Sequence, residues 1–298
     1  MTDLQLGLLA IGVAAVAAVL VYNRLQERKA VRAAQRAFVS SHADLLDEAP
    51  GEAGAKAHWR RGDAPATGMP DARLDYVVEL DVARGTLSAT VLEHWKALEH
   101  RFAQRALIAG SDGAGWRRVV AGDVRSFTAL RAALQMVSRS GVVGDAELIE
   151  FRSAVEALGA ALGATLSAPE MREALDQAHA LDRLCADADI QVALHVTGGT
   201  PQPLEPGEHA FQVQQRVDGL SLTLDVPRSL EPVRAFEAMA RAGGQLAAAG
   251  GGRLVDDNGN PVDERALAAI GAELQAVSSR LAAAGFEPGS ELALRVFS

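Results

Sequence analysis

The chain has 298 residues, 49% of them apolar, 22% charged and 4% aromatic, so it can bury a core and is neither a disordered polar tract nor a fibre. Its 29 lysines and arginines stand against 38 aspartates and glutamates, and the formal charge of −9 argues against a nucleic-acid partner, because phosphate binding needs a basic face. The one cysteine, Cys185, can form no intramolecular disulfide and lacks the companions of a zinc site, which points to a reducing compartment for the bulk of the chain.

From Leu4 to Tyr22 the sequence reads LQLGLLAIGVAAVAAVLVY, with Gln5 its only strongly polar member. As a helix at about 1.5 Å per residue, this run reaches roughly 28 Å, close to the ~30 Å hydrocarbon core of a bilayer. A cleaved signal peptide would carry basic residues ahead of the apolar run, whereas here Asp3 precedes it and Arg24, Arg28, Lys29, Arg32 and Arg36 follow. The expectation is an uncleaved transmembrane helix in residues 1–23, contacting the bilayer through residues 4–22. By the positive-inside rule the bulk of the chain then lies on the cytoplasmic side. Residues 24–72 read as the basic flank and a polar linker containing Trp59.

Beyond residue 72, periods of 2 and 3.6 alternate, the pattern of strands interleaved with helices. Residues 73–188 begin with YVVELDV, where Tyr76, Val78, Leu80 and Val82 share one face, followed by a helix that collects Val91, Trp95, Leu98 and Phe102. A second helical stripe, Leu148, Phe151, Val155, Leu158 and Leu162, starts after Asp145 as its cap. It has a counterpart in Val233, Phe236, Ala240, Gly243 and Ala247 at an offset of 85, after a cap at Ser229. Each is followed by a short glycine-led strand, GATLS or GGRLV. Each then has another helix, with stripes Met171, Ala174, Ala178, Leu181, Cys185 and Leu267, Ile270, Leu274, Val277, Leu281 at an offset of 96. The two stretches read as related copies, 73–188 and 189–298, and Cys185 as a packing residue.

In the second stretch, IQVALHV, AFQVQQRV and LSLTLDV all alternate. Val192, Leu194, Val196, Phe211, Val213, Val217, Leu220, Leu222, Leu224 and Val226 are expected under helices. The opposite, open face then carries Gln191, Ala193, His195, Gln212, Gln214, Arg216, Ser221, Thr223 and Asp225.

LSLTLDVPRSLEPVRAFEAM followed by GGRLVDDNGNPVDERALAAI resembles the ZipA family of bacterial division proteins, closely over residues 219–285. That resemblance implies an α+β fold, a split β-α-β antiparallel sheet with helices on one face. It also implies attachment to the inner membrane with a periplasmic N-terminus, and binding of the C-terminal tail of FtsZ. By resemblance the tail lies on the open sheet face, so Ala193, His195, Gln212, Gln214, Arg216, Ser221, Thr223 and Asp225 are the candidate partner-binding residues. Two departures stand out. The run from His195 to Phe211, through TGGTPQPLEPGEH, leaves no place for the family's first helix. The open face is also polar where the family's is largely apolar, so residues 73–140 are the other candidate surface.

No catalytic, metal or cofactor site emerges. Asp256, Asp257 and Asn258 miss the spacing of a calcium loop and read as a turn, with Asp263 capping the next helix. His94 and His100, six residues apart, diverge by about 120° around a helix and cannot share a metal. The glycines at 198–199 and 250–252 match no phosphate loop. The leading expectation is therefore a membrane tether for FtsZ. The alternatives are a scaffold of the same fold for another division or envelope protein, and an enzyme whose site no motif announces.

Overall fold

The computed structural model describes residues 68–102, 105–199 and 210–298. The anchor expected at 4–22, its basic flank and Trp59 lie outside the described residues; among these, no helix is long and apolar enough to cross a membrane.

Strand β1 (Asp75–Leu87) alternates as its sequence requires, with Tyr76, Val78, Leu80 and Val82 buried. Helix α1 (Ser88–Phe102) follows directly and buries Val91, Trp95, Leu98 and Phe102. Strands β2 (Ala106–Ser111), β3 (Trp116–Arg118) and β4 (Ser126–Gln135) come next, then a small hairpin of β5 (Val137–Ser138) and β6 (Gly141–Val142). Helix α2 (Asp145–Leu162), strand β7 (Thr165–Ser167) and helix α3 (Met171–Ala188) complete this half. The five-stranded sheet runs β3-β2-β4-β1-β7, every pairing antiparallel. The Phe102 and Phe151 rings meet edge to face at 5.3 Å, pinning α1 against α2 on the inner side of this sheet.

The second half contains β8 (Gln191–Thr197), β9 (Gln212–Arg216), β10 (Gly219–Asp225), α4 (Pro232–Gly250), β11 (Arg253–Val255), α5 (Glu264–Ala283) and α6 (Glu291–Val296). Its sheet runs β11-β8-β10-β9, again antiparallel. Without β3, the first sheet reads β7-β1-β4-β2, so the two have the same connectivity strand for strand. Helix burial agrees as well. Leu148, Phe151, Val155, Leu158 and Gly159 are buried in α2, and Phe236, Met239, Gly243, Leu246 and Ala247, each 88 positions later, in α4. The left-handed terminal glycines Gly163 and Gly251, and the strands after them, keep that offset. The stripe offset is thus 88 and not the expected 85. The three-residue difference is close to one helical turn, so either value superposes an apolar stripe, and only the fixed helix ends choose between them. In the following helices Ala178 and Cys185 are buried, as are Leu274 and Leu281, 96 positions later.

Two helix starts also differ from expectation. Gly144, in extended conformation, occupies the cap position before α2 and makes Asp145 the first helical residue, where its carboxylate faces the positive end of the helix dipole. Glu231 takes that position before α4, because Pro232 is fit to be the first helical residue, having no N–H to lose. Asp263 does cap α5, accepting from the Ala266 amide at 2.7 Å.

One apolar core runs through both halves, and the described residues all belong to one unit. Polar contacts fasten the halves, among them those of Arg139 and Arg295. Arg139, in the turn of the β5–β6 hairpin, reaches Asp189 at 2.7 Å and Asp225 at 2.9 Å. Arg295, on α6, returns to the first sheet, where its guanidinium donates to Asp75 at 2.5 Å, to the Gln135 side chain at 3.3 Å and to the Met69 carbonyl at 3.2 Å.

Candidate functional site

The outer face of the second sheet is fixed by register. Across β8, β10 and β9, His195, Ser221 and Gln214 lie side by side, and in the next row Ala193, Thr223 and Gln212. Asp225 pairs with Gln191 at one end, and Arg216 with Gly219 and Thr197 at the other. The structure therefore gathers all eight candidate residues on one face. Residues directly opposite in antiparallel strands point the same way, so alternation in the three segments was enough to bring them together.

They are not equally available. Gln212, Gln214 and Arg216 are exposed, Ala193, His195 and Thr223 are half-buried, and Ser221 is buried between its neighbours. Asp225 is already engaged by Arg139, whose guanidinium is held protonated by Asp189 and Asp225 against the cost of burial. Asp225 therefore fastens the halves together. His195 leans out to Asp257, with Nε2 to Oδ1 at 2.9 Å, while its Nδ1 is buried with no partner. The turn carrying Asp257 is built by Asp256, which accepts from the Asn260 and Asn258 amides at 2.8 and 2.9 Å. Those bonds hold the Asp256 carboxyl below the ordinary range. The aspartate cluster makes a turn, as its spacing suggested.

Strand β9 departs from expectation. Phe211 is buried, but Val213 is 37% exposed and Val217 fully exposed, because Val217 and Asp218 form the two-residue turn joining β9 to β10. All five residues of β9 are exposed on both faces. In the first half α1 packs on the inner side of β2, the counterpart of β9. Between β8 and β9 no helix occurs among the described residues.

The outer face of the first sheet is the other candidate. It carries Val77, Glu79, Leu107, Ala109, Arg131 and Ala133 in adjacent rows. Leu107 and Ala133 are 1% and 0% exposed, so this small apolar cluster offers little area to a partner. Arg131 lies 4.0 Å over the Trp116 ring and pairs with Glu79 at 2.8 Å. Alternation in β4 could have located these residues, but nothing in their types marks them as an interface.

Two clefts exist elsewhere, one of about 420 Å³ between Met69–Arg73 and Gly285–Leu292, the other of about 460 Å³ along β1, β7 and α3. Among the described residues no cluster of His, Cys, Asp and Glu could hold a metal. Burial pushes the Cys185 thiol up to about 12, so at neutral pH it is no nucleophile.

Residues 205–273 match the model of the ZipA C-terminal FtsZ-binding domain. That segment of the chain is similar to the ZipA C-terminal domain. No curated protein and no solved structure matches it. The match spans less than a quarter of the chain and takes in β9, β10, α4, β11 and the first half of α5. Six of the eight candidate residues fall inside it. Ala193 and His195, on β8, complete the face from outside.

Proposed function

We propose that this is a membrane-attached cell division protein that binds the C-terminal tail of FtsZ and tethers the division ring to the bacterial inner membrane. Residues 4–22 act as the single anchor, with the N-terminus periplasmic and the described residues cytoplasmic. The observation that carries this reading is the match of residues 205–273 to an FtsZ-binding domain, laid over a sheet whose edge strand exposes Gln212, Gln214 and Arg216.

The chemistry of that face sets the strength of binding. An apolar peptide side chain gains roughly 25 cal/mol per Å² only where both surfaces are apolar, and here it would meet Gln212, Gln214, Ser221 and Thr223. Tail binding at this face is therefore weak. The same polarity favours a second reading, in which the fold serves as a membrane-attached scaffold for a different division or envelope protein that docks through amide hydrogen bonds.

Pull-down by the full chain separates the two readings. Retention of intact FtsZ, with loss of retention when the FtsZ tail is removed, supports the tether. Equal retention of intact and tail-less FtsZ, or failure of both up to millimolar concentration, overturns it and leaves the scaffold. Attachment is tested independently by deleting residues 1–36, after which the protein should leave washed membranes.

A further inference from the structure

The segment leading into β1 is gripped by the C-terminal end of the chain. Arg295 on α6 donates to the Met69 carbonyl at 3.2 Å and to Asp75, the first residue of β1, at 2.5 Å. Arg73 donates to the Gly285 carbonyl at 3.2 Å. The Asp75 and Arg295 side chains are 0% and 5% exposed, so water can replace neither partner until the contact has already opened. Helix α6 is fastened in turn to the strand at the middle of the candidate face. Arg228 donates to the Phe297 carbonyl at 3.0 Å, and the Gly289 amide donates to the Pro227 carbonyl at 3.0 Å. Pro227 and Arg228 lie just past β10, which carries Ser221 and Thr223 on the outer face. Ala293, Val296 and Phe297 are buried beside these bonds, so α6 cannot slide without exposing apolar surface.

Taking the tether reading as the source of the load, we infer that this series of contacts, from Met69 and Asp75 through Arg295 and α6 to Arg228 and β10, carries tension between the membrane side of the chain and the partner face. A tether is pulled at both of its attachments. Without the grip of α6, tension arriving through residue 68 falls on the end of β1, where the pairs Asp75–Gln135 and Tyr76–Leu134 break one after the other. With the grip, tension passes to α6 and then to β10, and the ladder between β1 and β4 is spared. Separation has to break the bonds of one guanidinium to Met69, Asp75 and Gln135 together, and bonds to ionised groups are the strong ones. The first half braces the grip: Gln135, at the end of β4, donates from Nε2 to the Arg295 carbonyl at 3.0 Å and holds α6 in place. Coupling through such a series is a physical claim only if the path changes the response, so it is tested by the direction of pull.

The full chain is pulled in a nanodisc without FtsZ, so that failure here and failure of the tether reading are distinguishable. Handles on Ala64→Cys and Thr223→Cys span the proposed path. Handles on Val124→Cys and Thr223→Cys start from the exposed β3–β4 loop and bypass it. Cys185 is buried and inert. Asp75→Asn with Arg295→Met removes the charge pair and leaves the Gln135 bond to the main chain. At one constant force this double variant should speed rupture about tenfold or more between 64 and 223, and less than about threefold between 124 and 223. Arg228→Ala, at the other end of the path, should show the same preference for the first geometry. Equal acceleration in both geometries would mean that the pair supplies stability alone, and no acceleration between 64 and 223 would mean that tension runs elsewhere; either result overturns the proposal.

Discussion

Arg295→Ala should be among the most destabilising single changes in the described residues. The Asp75 and Arg295 side chains are 0% and 5% exposed, so solvent does little to weaken their interaction. Truncation removes the 2.5 Å bond to Asp75, the 3.3 Å bond to Gln135 and the 3.2 Å bond to the Met69 carbonyl together. Asp75 keeps only the Asp71 amide at 2.8 Å. An uncompensated buried carboxylate of this kind costs about 3–5 kcal/mol. Burial already pushes the Asp75 carboxyl above its ordinary range, with Arg295 opposing it, and loss of Arg295 lets it rise further. A raised folded-state pKa contributes stability fully below the unfolded value of 3.8 and loses it as pH rises through the folded value. The penalty in Arg295→Ala should therefore be larger at pH 8 than at pH 5. Urea denaturation of the variant and wild type at both pH values measures this, and Asp75→Asn with Arg295→Met should recover most of the loss. A penalty under 1 kcal/mol at pH 8, or one that grows on acidification, would refute the reasoning.

Other outcomes follow from single sites. Native Cys185 should resist a thiol reagent at pH 8, because its pKa is pushed up to about 12, and should react on unfolding; fast native reaction would mean the α3 packing is wrong. Gly219→Ala should destabilise the β9–β10 hairpin by about 2 kcal/mol or more, since φ is +151° there and a Cβ would run into the Val196 carbonyl; calorimetry would show it as a lower Tm. Thr223→Phe should tighten FtsZ-tail binding by supplying apolar area at the centre of the face, and Thr223→Lys should change it by placing a charge there. Unchanged titrations for both would move the site to residues 73–140.

Much of the second sheet was legible because antiparallel strands with one covered face must alternate, and LSLTLDV and IQVALHV leave no other register for their leucines and valines. The outer-face residues followed from the same alternation. Strand β9 was not legible in this way. AFQVQQRV alternates too, but alternation carries no information about what lies beneath. The Asp75–Arg295 pair was equally hidden. ELALRV reads as a short amphipathic helix, and only the return of α6 to the first sheet, 220 positions away, turns its arginine inward. The helix offset was misread for a simpler reason, that apolar stripes superpose again after three residues.

The claim that the outer face of the second sheet receives FtsZ is tested most directly by titrating the labelled full chain with an FtsZ tail peptide and mapping backbone NMR shifts. Saturable changes centred on Ala193, Gln214 and Thr223, with residues around Ala109 and Arg131 unmoved, are expected. Shifts confined to the first sheet, or none up to millimolar peptide, would contradict it.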